Sequence, residues 1–241
     1  MDFSRVKLPQ SRESFHNGYF DNHLVDVFYA KLVQIATLNK MDSCFFLDVG
    51  ANIGSFSLIP MIDSRMSCLA IEANPPVFDV LKETVLLNEA QDKIFLLNIA
   101  AWDSKTTMPM TLHNSTNYSG IATMGTNEQG VENYFMSATH DKNYKKIDIP
   151  CDTIDNIMSE KFPDKKIIGI KMDIEGAEYF AIKGAKQTLL RDKPFILFEN
   201  HKQHTDKFYH NAEDVIALLE SYGYRKSWST VSDVIMENGD R

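Results

Sequence analysis

Phe45-Phe46-Leu47-Asp48-Val49-Gly50-Ala51-Asn52-Ile53-Gly54-Ser55-Phe56-Ser57 decides the reading of this chain. An apolar run ends in an acid, turns through two glycines and reopens into an apolar pattern of helical spacing. That is a buried strand, a tight loop and a helix N-terminus, the arrangement in which α/β sheets seat nucleotide-containing cofactors. Gly50 can take positive φ, and Gly54 permits close approach of helix and cofactor to the backbone. Spacing then sorts the cofactors. The dinucleotide fingerprint G-x-G-x-x-G needs glycine at 52 and 55, where Asn52 and Ser55 stand. The phosphate loop needs lysine after its second glycine, and Ser55 follows Gly54. A G-x-x-x-G loop preceded by Asp48 fits S-adenosyl-L-methionine, which has no phosphates to cradle.

The rest of the chain is consistent with one α/β domain and a terminal extension. It has 241 residues, 44% hydrophobic and 24% charged, with a formal net charge of −8. An acidic balance disfavours a protein that coats nucleic acid, because neutralising phosphates takes a basic face. Cys44, Cys68 and Cys151 are too scattered for a disulfide framework or a zinc site and read as small buried hydrophobes. Met1–Gln10 lacks the apolar core of a signal peptide, and no run approaches the roughly 18 apolar residues of a membrane span. The expectation is a cytoplasmic protein with no membrane span.

Alternation of strand and helix runs through most of the chain. Residues 1–20 read as an irregular arm. Leu24, Val27, Phe28, Leu32, Ile35 and Leu38 then mark an amphipathic helix over 21–40. Strands are expected at 44–49, 67–72, 93–99, 166–173 and 194–199, with helices at 54–63, 76–88, 152–160, 177–190 and 211–222. Strands at 224–229 and 232–237 form a closing hairpin. Such alternation predicts a parallel sheet with helices on both faces. Residues 104–150 interrupt it with a Thr-, Ser- and Asn-rich stretch, read as a β-rich insertion for acceptor recognition. The division is an N-terminal arm and helix (1–40) serving as lid, followed by the cofactor-binding domain (41–241).

Ligands of such sheets bind beyond the carboxyl ends of the strands. Those ends carry Asp48 and Gly50, then Glu72, then the stretch from Asn98 to Ala101, then Asp173, then Glu199-Asn200-His201. An acid ending the second strand about 20 residues past the loop accepts hydrogen bonds from ribose hydroxyls, which is the place of Glu72. Asp48 and Asn52 are read as acceptors near the cationic amino-acid end of the cofactor. A second motif, Lys171-Met172-Asp173-Ile174-Glu175-Gly176-Ala177-Glu178, delivers Asp173 to the same rim and opens a helix.

DVGANIGSFS, IEANP, KMDIEGAE and FENHK, in this order and over roughly residues 40–205, resemble the FkbM family of S-adenosyl-L-methionine-dependent methyltransferases. The resemblance implies a class I methyltransferase (Rossmann-like) fold: a seven-stranded, mostly parallel sheet with its last strand antiparallel. It also implies O-methylation of a glycan or secondary-metabolite hydroxyl, leaving S-adenosyl-L-homocysteine. Cofactor contacts carry over to Asp48, Gly50, Asn52, Gly54 and Glu72, and Ala101 resembles the segment lining the adenine. Trp102 departs from the small polar residue anticipated beside it.

Methyl transfer from a sulfonium needs a base for the hydroxyl proton. His201, with an ordinary pKa of about 6.5, is the first choice, and Asp173 or Glu175 the rival. Asp173, Glu199 and Asn200 offer hard oxygens to Mg2+, but carboxylates there equally hold lysines or loop amides, and no metal is favoured. The rival functions are a cofactor-binding scaffold without turnover, and methylation of nitrogen or nucleic acid. The partner expected is a small molecule or glycan. Oligomeric state is not encoded in any motif.

Overall fold

Strand β1 (Cys44–Val49) is buried along its whole length, so it must lie at the centre of a sheet covered on both faces. The structure, a computed structural model, describes residues 22–113, 122–124, 144–199 and 212–239. Parallel neighbours flank β1: β2 (Met66–Ile71) on one side and β8 (Ile167–Met172) on the other. Beyond β2 lies β3 (Ile94–Leu97), and beyond β8 lies β9 (Phe195–Glu199), all parallel. The hairpin β10 (Tyr224–Ser229) and β11 (Asp233–Asn238) completes the edge, with β11 antiparallel to β9. The seven-stranded order is therefore β10-β11-β9-β8-β1-β2-β3, the expected architecture with its last strand antiparallel.

Side chains of β1 alternate between two cores. Cys44 and Phe46 meet Phe28 and Leu32 of helix α1 (Asn22–Leu38) and Leu81 and Val85 of α2 (Pro75–Leu87). Phe45, Leu47 and Val49 join the opposite core. That core contains Ile154 and Ile157 of α3 (Ile154–Lys161), Ala181 and Ile182 of α4 (Glu178–Lys183), Leu189 of α5 (Lys186–Asp192), and Val215 and Leu219 of α6 (Ala212–Ser221). Asp48 lies on the Phe46 face, and Lys171 is its Cα partner on β8.

Three expectations are corrected. No α-helix spans 54–63: that stretch is a series of turns with a short 3-10 turn at Ile59–Met61. Pro60 lacks an N–H, and the backbone bonds here are mostly three-residue ones, such as Met61 N–H to the Leu58 carbonyl. The helix over 177–190 is two helices, parted at Gly184-Ala185. A Cβ on Gly184 would collide with the Trp102 carbonyl oxygen, while the Gly184 carbonyl accepts from Asp155 N–H at 3.0 Å. The third strand also divides. After Leu97 the chain leaves the main sheet, and β4 (Ala100–Ala101) joins a second sheet with β5 (Thr106–His113), β6 (Ala122–Met124) and β7 (Tyr144–Asp152) in the order β4-β7-β5-β6. The apolar face of that sheet, including Met110 and Ile149, packs with Trp102 and Ala177, with Ile174 and Phe180 against it.

The loop between β8 and α4 is held by Glu178. Its Oε1 accepts from Ile174 N–H at 2.9 Å, its Oε2 makes no hydrogen bond among the described residues, and the side chain is buried. Inside the loop Glu175 and Gly176 both take positive φ, +60° and +100°. Burial is the first cause that pushes the Glu178 carboxyl up, to about 7, against the backbone N–H groups that lower it.

Two outcomes are expected. Gly184→Ala lowers stability by about 1–3 kcal/mol in urea denaturation, because the methyl group meets fixed backbone. For Glu178, an acid whose folded pKa of about 7 exceeds the ordinary 4.5, the associated stability is full below pH 4.5 and lost as pH rises through 7. Glu178→Gln stays neutral, so its stability does not fall over that window. It should be the more stable protein at pH 8, by up to ~3 kcal/mol, in thermal or urea unfolding.

Candidate functional site

The carboxyl edge of the sheet brings the two sequence motifs into contact. Past the strand ends, Asp173 N–H donates to the Val49 carbonyl at 3.0 Å, and Gly50 and Ala51 N–H donate to the Ile71 carbonyl at 2.9 and 3.0 Å. Gly50 has φ +76°, and a Cβ there would collide with the Asp173 carbonyl oxygen. Glycine at 50 therefore lets the loop after β1 lie directly on the loop after β8. Gly54, with φ +103°, meets Leu81 of α2 in the same sense, at 2.9 Å from an added Cβ. Both glycines serve contacts within the protein.

Glu72 follows β2 directly. Its Oε2 accepts from Asn52 N–H at 2.9 Å and its Oε1 from Asn74 N–H at 2.8 Å. Asn52 reaches this position with φ +51°, a left-handed conformation that asparagine tolerates. Asn98 ties down the next turn, donating from Nδ2 to the Glu72 carbonyl at 2.8 Å and the Ala73 carbonyl at 3.2 Å. Burial raises the Glu72 pKa, while the two amides and the field of Lys171 oppose it. A carboxylate so held presents a fixed orientation.

Asp48 is fully buried under the loop. Its Oδ2 accepts from Ser57 Oγ at 2.5 Å, and its Oδ1 makes no hydrogen bond among the described residues but faces Lys171 Nζ at 3.6 Å. Lys171 Nζ donates to the Gly50 carbonyl at 2.7 Å, stands 3.7 Å from Asp173 Oδ2 and lies 5.3 Å from the Phe56 ring centroid. Burial raises the Asp48 pKa most, and Lys171 and Ser57 pull it back. For Lys171 burial pulls downward, but Asp173, Asp48, Glu72 and Glu199 together outweigh it and leave the ammonium above the ordinary lysine value. The side chain of Asp173 is 44% exposed at the rim.

Asp48, Gly50, Asn52, Glu72 and Asp173 thus fall within one connected network. Glu175 occupies the adjoining loop at half-buried depth. Ala101 is different: it pairs with Asp152 of β7 and its side chain is buried in the main core. Trp102 is also buried, stacked on Phe180 at 4.3 Å between centroids and 11° between planes. His201 and Asn200 lie outside the described residues, as do the arm 1–20 and most of 114–143. Among the described residues no group of three or more His, Cys, Asp or Glu is placed to hold a metal ion, and no helix is long and apolar enough to cross a membrane. Lys171 is the residue missed in sequence. A lysine inside the apolar run Ile167–Met172 signals a buried charge that needs partners, and that signal was available.

Several known proteins are similar to this chain. Methyltransferase sdnD of Sordaria araneosa is 29% identical over 167 residues, which cover 62% of this chain and 63% of that protein. A solved putative caffeoyl-CoA O-methyltransferase from Staphylococcus aureus aligns with 12% identity and a TM-score of 0.52, over 95% of this chain and 89% of that one. A methyltransferase FkbM from Methylobacillus flagellatus KT aligns at 18% identity and a TM-score of 0.49, over 81% of this chain and 43% of that one. The chain therefore spans under two thirds of the sdnD protein and under half of the Methylobacillus one. The family model described as the Methyltransferase FkbM domain matches residues 48–226, which include the loop after β1, Glu72 and the Asp173–Glu178 segment, and the chain belongs to that family.

Proposed function

We propose that this chain is an S-adenosyl-L-methionine-dependent O-methyltransferase acting on a hydroxyl of a glycan or secondary-metabolite acceptor. The observation that carries the reading is the Glu72 carboxylate, locked by the amides of Asn52 and Asn74 beside the Gly50–Gly54 turn. Each oxygen has spent one acceptor position on an amide and keeps a second, which suits two neighbouring ribose hydroxyls. The fit extends to charge: Glu72, Asp48 and Asp173 converge where a cofactor with a sulfonium and an ammonium would be held. Membership of the FkbM family supports the same cofactor.

When bound, the cofactor supplies an electrophilic methyl group for in-line displacement. The chain supplies position. Glu72 orients the ribose, and Asn52 with the Gly50 carbonyl frames the amino-acid end. The loop from Asp173 to Glu178, fixed by its own buried carboxylate, borders the acceptor. Holding the acceptor oxygen in line is worth about 7–11 kcal/mol of barrier in well-oriented systems. For the hydroxyl proton His201, after β9, is the first choice, and Asp173 at the exposed rim or Glu175 in the adjoining loop is the rival. The hydroxyl acceptor and its class rest on the resemblance of DVGAN and KMDIEGAE to the family. The second sheet, which carries Trp102 against Phe180, is assigned to acceptor recognition together with the arm 1–20.

Calorimetry on the purified protein is expected to show micromolar binding of S-adenosyl-L-methionine. Glu72→Ala should weaken it by roughly 10- to 100-fold, the range for charge-assisted hydrogen bonds lost. Absence of binding by the wild type, or an unaffected mutant, contradicts the reading. With an acceptor found by screening hydroxylated compounds, His201→Ala, Asp173→Asn and Glu175→Gln identify the base. The variant that removes it loses about 100-fold or more in kcat at saturating cofactor.

A further inference from the structure

We propose that Lys171 is a positioning residue of the cofactor seat, fixing the Gly50 carbonyl and the Asp48 carboxylate beneath the loop for the cationic end of the cofactor. The proposal rests on the cofactor reading given above. Lys171 reaches its place by register: it is the Cα partner of Asp48 across β1 and β8, on the face that carries the loop and Phe56. One of its N–H groups is committed to the Gly50 carbonyl at 2.7 Å. The ammonium then stands almost equally far from Asp48 Oδ1 and Asp173 Oδ2, at 3.6 and 3.7 Å. It therefore joins both motif loops at once: the turn that begins at Gly50 and the rim loop that begins at Asp173.

Charge makes this more than a strut. The groups facing Asp48 are Lys171 from β8, Asp173 just after it, Ser57 from the loop, Cys68 from β2, and Glu72 after β2. Lys171 is the cation on which Asp48, Asp173, Glu72 and Glu199 act together. Remove that cation, and the most buried of the four carboxylates, Asp48, becomes the one that keeps a proton. A cationic ligand then has to expel that proton before the seat regains its charge. In the intact protein Lys171 and Ser57 pull the Asp48 carboxyl back against the burial that raises it, so binding exchanges fewer protons there than it does without the lysine.

The test is calorimetric titration of S-adenosyl-L-methionine into wild type, Lys171→Met and Lys171→Met/Asp48→Asn, between pH 6.5 and 8.5. Running each titration in two buffers of different ionisation enthalpy reads the protons exchanged. Wild type should bind with an affinity that changes less with pH than that of Lys171→Met. Lys171→Met should bind more weakly at pH 6.5 and recover as pH rises, with a slope approaching one log unit per pH unit and release of up to about one proton. The double variant should bind weakly, with a flat pH profile and no proton released. It also carries the test if the single variant does not fold, since it leaves no unpaired charge at the pair. Lys171→Met binding with wild-type affinity and no proton exchange overturns the proposal, as does a double variant that binds like wild type. No binding by wild type would instead overturn the cofactor reading.

Discussion

The contact on which the site depends is the pairing of β1 with β8. Its register sets Asp48 beside Lys171 and brings the turn at Gly50 onto the backbone of Asp173 so closely that no Cβ fits between them. Hydrogen bonding past the strand ends, from Asp173 N–H to the Val49 carbonyl, locks the approach. The turn after β1 and the loop after β8, 121 residues apart at the Gly50–Lys171 bond, become one surface. Everything the site holds is hung on that junction: Glu72 through Asn52, Asp173 through the ladder, and Glu175 through the loop closed by Glu178.

Burying so many acids in one place is costly unless they find donors and a cation. The structure meets this with backbone amides at Glu72 and Glu178, a serine at Asp48 and the Lys171 ammonium between Asp48 and Asp173. Amides fix direction, whereas the lysine sets charge. A cluster built this way has its acceptors held in fixed directions by the fold itself.

Much of this was legible in sequence, and the misses have physical causes. Apolar runs of strand length between helical patterns placed the central strands to within a few residues, because burial on both faces leaves a continuous apolar signature. Residues 54–63 have apolar spacing that suits a helix, but Pro60 withholds an N–H and Ser57 spends its hydroxyl on Asp48, so the segment turns instead. Gly184 reads as an ordinary helix glycine until the Trp102 backbone is seen against it. Such long-range contacts have no local trace. Attention to strand ends singled out Asp48, Glu72 and Asp173, which the fold brings into one network, but passed over Lys171, the penultimate residue of β8. Departure of the chain after Leu97 into a second sheet buries Ala101 and Trp102, a course that the apolar run of the third strand does not announce.

A crystal structure of the chain with S-adenosyl-L-homocysteine tests the central claim most directly. The account predicts the ribose hydroxyls within hydrogen-bond distance of both Glu72 oxygens, and the amino-acid end over the Gly50–Gly54 turn above Lys171. A ligand bound elsewhere, or a ribose that leaves the Glu72 carboxylate untouched, would contradict it.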